Sequence, residues 1–448
     1  MKLSGCWAEW FDTLACDSIG ASEFSEPVHP AMLADTVPEV IWPGLMLPDL
    51  LPVLGNGMGD WLCARVGADN TISEVIHWYH GGGDCLPNGR TLPEAIVYDA
   101  VRDRFPGNSR RLAIPAEAPK RQGFTAASLQ PGLRWALTHL PGWVRELLDP
   151  EAPAEVLADR LLGAGIAEVP IRCDLILAGL DNEVLRRMTP STAAMLNVRW
   201  DQDVVRWMFD PDLMPDTIRR RLAEAWGKHP SDWVRPNWDL AAAQAAPIVA
   251  QRHDLAWPLD ILGWCEQHRG RNEAAIGHYL HGAMASSFTD QAVRFRTHFD
   301  IDRVSKFSVA RLLELGAADR LDPEYLRLLV QSPPADPRSI GWRDRVSEYW
   351  FASATSDAPG TGAAAMGAVA TGAVATGAKS AGAAGFGEPL DRYERIYRAG
   401  WDVGCDSLVR YRQLLSELAA AAETAGQTAR AAVARTHHAC LIARYFSR

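Results

Sequence analysis

The spacing of apolar residues changes along the chain near residue 115. Before that point, short apolar runs lie between Pro- and Gly-rich turns, and two of them, 61–66 and 75–80, alternate as half-buried strands do. From about residue 129, apolar residues recur every three or four positions, which is typical of helices. The pattern predicts an α+β N-terminal domain, an antiparallel sheet with flanking helices, followed by a mainly α-helical region.

The two alternating runs predict a β-hairpin with a wide turn at 67–70. In the first strand, one face carries Leu62, Ala64 and Val66, and the opposite face carries Trp61, Cys63 and Arg65. In the second strand, Val75, His77 and Tyr79 oppose Ile76, Trp78 and His80. Because His77 and His80 face opposite sides of the strand, we predict no metal site there.

Three glycines, Gly55, Gly57 and Gly59, precede the first strand. The first two begin like a dinucleotide-binding fingerprint, but Asp60 stands where the third glycine is required. A strand pattern also follows, whereas phosphate binding needs the backbone N–H groups of a helix N-terminus. We therefore interpret these glycines as residues that shape a hairpin.

Downstream, a loop at 81–84 leads to Thr91 and Glu94, whose spacing is that of a capping box and predicts a helix. This order of elements resembles the core of the SUKH superfamily, which includes the fungal Smi/Knr cell-wall regulators and bacterial immunity proteins. The resemblance covers residues 38–105. The residues that carry it are Gly57, Gly59, Asp60, Leu62, Cys63, Val75, Trp78, His80 and the helix from Thr91.

The resemblance implies a non-enzymatic, protein-binding role. Bacterial members of the family neutralise toxin domains by direct contact, and fungal members act as regulatory scaffolds. The resemblance implies no catalytic residues, and we predict no cofactor and no metal. The candidates for contact with a partner protein are Trp61, Trp78, His80 and Asp84. A tryptophan packed between strands would be a core residue, whereas an exposed one would be an interface anchor.

The changes in pattern also predict the domain boundaries: a SUKH-like domain at 1–118, a helical domain at 119–356, a linker at 357–387 and a C-terminal helical hairpin at 388–448. The linker is rich in Gly and Ala, which bury too little side chain to repay the entropy of ordering. The hairpin is expected to consist of helices at 389–415 and 416–446.

Within the helical domain, residues 257–287 are similar to a tetratricopeptide-type hairpin. Gly263 supplies a small residue where two helices would press closely, and Gly270 lies in the turn. A single clear copy is visible, so an ordinary helical bundle is the alternative to a repeat array.

The chain of 448 residues has a formal net charge of -10 and no block of Lys and Arg, which argues against nucleic-acid binding and would suit a basic protein partner. No run of 18 apolar residues predicts a membrane span, and the N-terminus lacks a signal-peptide pattern. The eight cysteines are scattered, as is usual for reduced thiols: Cys6, Cys16, Cys63, Cys85, Cys173, Cys265, Cys405 and Cys440. We predict a cytoplasmic protein of bacterial type.

Two alternatives to a SUKH-like binding protein stay open at this point. The first is an enzyme, metal-dependent in one form, whose site would lie in the helical region. Its candidate residues are His253, Asp254, His268, Glu273 and His278. The second is an interaction hub that uses the helical repeats alone.

Overall fold

A computed structural model describes residues 5–12, 24–43, 46–79, 84–105, 131–148, 153–198, 203–204, 207, 210–285, 307–321, 392–404 and 408–446. The predicted linker at 357–387 and the predicted boundaries at 118 and 356 lie outside these residues. Among the described helices, none is long and apolar enough to cross a membrane.

The N-terminal part contains the predicted antiparallel sheet, whose five strands follow one another in chain order. The strands are β1 (Glu26–Pro27), β2 (Leu50–Gly55), β3 (Trp61–Val66), β4 (Ile72–Tyr79) and β5 (Asp84–Gly89). β3 and β4 form the predicted hairpin, in which Trp61 pairs with Trp78 and Cys63 pairs with Ile76.

The predicted hairpin-shaping glycines lie at the turn from β2 to β3. Gly57 and Gly59 have φ angles of 69° and 98°, a region that favours glycine. The side-chain oxygen of Asn56 accepts hydrogen bonds from the backbone N–H groups of Met58 at 2.9 Å and Asp60 at 3.0 Å. A strand follows, as the sequence predicted.

Strand β5 was not predicted, because only a loop was expected before the helix at Thr91. It pairs with β4, and Cys85 lies opposite Trp78. Pro87 breaks the sequence pattern of a strand, but β5 is at the edge of the sheet, where a missing backbone donor is tolerated.

Helices make up most of the remaining described residues, which confirms the mainly helical region. They are α1 (Cys6–Asp12), α2 (Pro30–Ala34), α3 (Leu92–Val101), α4 (Pro131–Thr138), α5 (Ala154–Gly163), α6 (Glu168–Gly179), α7 (Glu183–Arg187), α8 (Pro190–Leu196), α9 (Asp216–Trp226), α10 (Trp238–Gln251), α11 (Ala256–His268), α12 (Asn272–Met284), α13 (Phe307–Glu314), α14 (Arg392–Gly404), α15 (Leu408–Thr424) and α16 (Thr428–Tyr445). Short 3-10 helices cover Arg102–Arg104, Gly142–Leu148, Pro211–Leu213, Pro230–Asp232 and Ala318–Arg320.

Helix α3 begins at the predicted cap. The Thr91 hydroxyl accepts a hydrogen bond from the backbone N–H of Glu94 at 3.4 Å. The Glu94 carboxylate accepts from the backbone N–H of Arg90 at 3.0 Å, one residue earlier than in an ideal capping box. The cap fixes where α3 starts, and its buried residues pack on the sheet.

The two faces of the sheet belong to different cores. Leu62, Ala64 and Val75 pack with α3 and with the helices after it, including Ile96 and Leu133. The opposite face, here called the outer face, carries Cys63, Arg65, Ile76, Trp78 and Cys85. Its apolar members pack against residues of α14, α15 and α16.

Val66 departs from the predicted alternation. The pairing of β3 with β4 shifts register between Arg65 and Val66, which is the mark of a β-bulge. Val66 therefore contacts Ala429 and Val433 of α16 and does not join Leu62 in the first core.

The helical hairpin predicted at 257–287 is present as α11 and α12. Gly263 lies against the ring of Tyr279, so a Cβ at that position would overlap the ring. Gly270 has a φ of 71° in the turn between the helices. Close packing at a small residue is confirmed, and membership of a repeat family stays a prediction.

The C-terminal residues form three helices instead of the expected two. The chain leaves α15 at Thr424 and enters α16 at Thr428, and Gly426 between them has a φ of 72°. Strong helix formers on both sides of Gly426 concealed this break in the sequence. We call α14, α15 and α16 together the C-terminal cover, because they lie on the outer face of the sheet.

Candidate functional site

The four predicted partner-contact residues have different surroundings. Trp78 is completely buried on the outer face, where it packs beneath the C-terminal cover. Trp61 is half-buried at the start of β3. His80 lies outside the described residues. Asp84 begins β5, where its backbone pairs with Tyr79. Trp61 and Trp78 lie opposite each other on β3 and β4, and partner contact at the four residues stays a prediction.

The outer face instead contains a buried network of charged side chains centred on Arg65. Its guanidinium donates hydrogen bonds to four other side chains: Asp49 at 3.0 Å, Glu74 at 2.7 Å, Asp254 at 3.0 Å and the Tyr397 hydroxyl at 3.2 Å. Arg65 is 7% exposed and Asp49 is fully buried. The network joins the sheet to the turn before α11 and to α14.

A second arginine completes the network. Arg252 donates to both Glu74 oxygens, at 2.9 and 3.2 Å, and to both Asp254 oxygens, at 2.8 Å each. Burial opposes ionisation of Asp254, but the charges of Arg252 and Arg65 outweigh it and hold the pKa of Asp254 well below its usual range. The paired charges stabilise one arrangement of the three chain segments.

Tyr397 connects the C-terminal cover to this network. Its hydroxyl donates a hydrogen bond to Asp49 at 2.9 Å. The Arg65 guanidinium also lies 5.4 Å from the centre of the Tyr397 ring. Burial raises the pKa of Tyr397 well above its ordinary value, so the hydroxyl stays protonated and keeps donating.

Three side chains of α16 contact backbone carbonyl oxygens of the sheet domain. Arg430 donates to the carbonyl oxygen of Val66 at 2.9 Å. The ring of His437 lies 3.1 Å from the carbonyl oxygen of Leu50. Arg444 donates to the carbonyl oxygen of Glu39 at 2.6 Å. These three side chains are spaced by seven residues and therefore lie along one stripe of the helix.

The turn between β3 and β4 holds the start of α16. The side chain of Asn70 donates to the carbonyl oxygen of Gly426 at 3.2 Å and accepts from the backbone N–H of Ala429 at 2.8 Å. Arg430 also pairs with Glu394 of α14 at 3.0 Å. The same side chains thus join the helices of the cover to one another and to the sheet.

Three of the residues named for the enzymatic alternative pair with different side chains. Asp254 belongs to the arginine network, His268 lies 3.2 Å from Asp210, and Glu273 pairs with Arg320 at 2.9 Å. Burial lowers the pKa of His278. In the part of the chain that the structure describes, no group of three or more His, Cys, Asp and Glu side chains is placed to hold a metal ion.

Glu74 lies opposite Arg65 in the β3–β4 hairpin, but sequence reasoning missed Asp254 and Tyr397 because they are far from Arg65 along the chain. Arg65 is 189 positions from Asp254 and 332 positions from Tyr397. One signal was available: an arginine alternates with apolar residues in a strand, and a buried arginine requires partners. The sequence does not say which residues those partners are.

No model of a protein family matches the chain, and no curated protein and no solved structure matches it either. The resemblance to the SUKH superfamily therefore stays a prediction.

Proposed function

We propose that this chain is a SUKH-like, non-enzymatic protein-binding protein of the cytoplasm that acts as an immunity-type or regulatory scaffold protein. The observation that carries the proposal is the outer face of the sheet. It already holds a helical unit from a distant part of the chain through carbonyl hydrogen bonds and a shared charge network. Side-chain donors that meet backbone acceptors are a usual means of recognition between protein surfaces.

The turn from β2 to β3 is exposed at its tip. Met58 at its tip is 67% exposed, and Trp61 follows at its base. Flexible methionine side chains adapt to partner surfaces, and tryptophan is enriched at interface centres. We therefore place the first contact with a partner protein at this turn. The net charge of -10 favours a basic partner.

The test uses the full chain. Proteins that co-purify with it from native lysate at low salt are identified, purified and titrated against the purified chain. Met58→Ser is expected to weaken the binding by about tenfold or more, because it removes an apolar contact at the interface. Met195→Ser is the matched control, since Met195 is 73% exposed on α8 in the helical part.

Two results would contradict the proposal. If no purified candidate binds the chain, it has no partner of this kind. If M195S weakens binding and M58S does not, the helical part is the interaction surface. Stoichiometric zinc in the purified protein would favour the enzymatic alternative.

A further inference from the structure

The C-terminal cover contributes no strand to the sheet on which it lies. All five strands come from residues 26–89, and the cover begins at Arg392. Release of the cover would therefore break no pairing between strands.

Side chains of α16 contact the sheet domain as side chains of a separate bound helix would. Arg430, His437 and Arg444 each meet a backbone carbonyl group of the sheet domain. These carbonyl groups stay on the sheet domain when α16 leaves. The outer face is thus complementary to a helix with basic side chains spaced by seven residues.

Apolar contacts accompany these polar ones. Trp78 and Ile76 of the outer face pack with Tyr397 and Leu414 of the cover. Uncovering them costs free energy, so the covered state is the resting state. A partner that covers the same side chains would recover that cost.

We propose that the outer face is an interaction surface whose resident occupant is the C-terminal cover. The cover opens as one unit while the rest of the fold stays intact, and the competing partner is a helix with basic side chains at the spacing found in α16. That a partner protein binds the uncovered outer face rests on the proposed function, whereas the opening of the cover does not depend on the proposed function. Partial opening of one cooperative unit is a general property of folded proteins.

Three buried cysteines of the full chain report the opening, and a fourth is the reference. Cys63 and Cys85 lie on the outer face and Cys440 lies on α16, whereas Cys173 lies in α6 within a different core. Each thiol is labelled under native conditions and read out by mass spectrometry of its peptide. The first three are expected to react together, about tenfold or more faster than Cys173 and with a weaker dependence on urea. One common rate and urea dependence for all four thiols would overturn the proposal.

A pair of variants on α16 sharpens this test. Arg430→Gln removes the contact with the Val66 carbonyl, and it is expected to speed labelling of Cys63, Cys85 and Cys440 by about tenfold while leaving Cys173 unchanged. Arg435→Ala is the control, because Arg435 is exposed and its partner Glu423 also belongs to the C-terminal cover, so this pair does not join the cover to the sheet. Equal acceleration of Cys173 by R430Q would show that the cover unfolds only with the whole protein, which overturns the proposal.

A peptide with the sequence of residues 428–446 and the change C440S tests what the outer face recognises. Added in excess to the full chain, it is expected to displace α16 and so to speed labelling of Cys440. The same peptide with R430A, H437A and R444A is expected to leave this rate unchanged. If the unaltered peptide also leaves it unchanged, the outer face does not recognise the basic pattern of α16. If the partner titration fails, the thiol-labelling rates are unaffected. The proposal of partner binding and the proposal of cover opening can therefore fail independently.

Discussion

The side chain of Asn70 accepts a hydrogen bond from the backbone N–H of Ala429 at 2.8 Å, although the two residues are 359 positions apart. Asn70 has a φ of 65°, a left-handed conformation that asparagine adopts more readily than most residues. It satisfies a backbone donor in the first turn of α16, which is the task of a helix cap. A turn of the sheet thus caps the last helix of the chain.

Replacement of Asn70 separates its two roles. Asn70→Gly keeps the left-handed backbone and removes the side-chain hydrogen bonds to Ala429 and Gly426, so the free energy of unfolding should fall by about 1 kcal/mol. Asn70→Ala also strains the backbone and should cost about 1 kcal/mol more. Urea unfolding of both variants measures the difference. Equal stability of N70G and the unaltered chain would show that the cap contributes nothing.

Replacement of Arg65 should be the most damaging change to the charged network. Arg65→Met leaves Asp49 buried beside Tyr397 without its guanidinium partner, and loss of one partner of a buried pair costs about 3–5 kcal/mol. The midpoint of urea unfolding measures this loss. Arg186→Met is the control, because Arg186 and Asp181 form a pair on the surface, where the cost is below about 1 kcal/mol. Similar losses in both variants would contradict a buried network.

Local pattern was enough to predict the parts of the fold that local chemistry determines. Alternation gave β3 and β4, and the capping box gave the start of α3. Local pattern did not predict the structure at positions where contacts with other strands determine it. A bulge rotates Val66 to the outer face, and the edge position of β5 permits Pro87.

The candidate site was the least predictable part. Trp78 was proposed as a partner contact, but the C-terminal cover buries it. The burial depends on helices more than 300 positions away, and no spacing within β4 reveals them. The ion pair of Arg65 with Asp254 has a similar origin, since the two residues are 189 positions apart.

Two glycines in the helical hairpin should respond in opposite ways to substitution by alanine. Gly263→Ala would place a Cβ against the ring of Tyr279, which is buried and donates a hydrogen bond to Gln267 at 2.9 Å. We expect a loss of about 1–3 kcal/mol in the free energy of unfolding. Gly277→Ala on α12 meets no heavy atom within 4 Å and should gain up to about 1 kcal/mol, since alanine favours helix. Thermal unfolding of the pair checks both signs, and a stable G263A would refute the close packing.

The free energy of unfolding should decrease as the pH is lowered, because His437 is buried in its neutral form. Burial lowers the pKa of this histidine to about 4, and Arg444 acts in the same direction while Asp49 and the Leu50 carbonyl oppose it. Histidine in the unfolded chain titrates near pH 6.5, so the unfolded state binds a proton first as the pH falls. The contribution of His437 is fully present above about pH 6.5 and is lost between about pH 6.5 and pH 4.

Urea unfolding at about pH 7.5 and about pH 5 should therefore differ by about 2 kcal/mol from His437 alone, because one pKa unit corresponds to about 1.4 kcal/mol. His437→Gln cannot take up this proton and should remove that part of the pH dependence, even if it lowers stability at both pH values. His438→Gln is the matched control, since His438 is the neighbouring residue on α16 and is only partly buried. A pH dependence that survives H437Q and disappears in H438Q would assign the titration to the wrong face of the helix and contradict the docking of α16 described above.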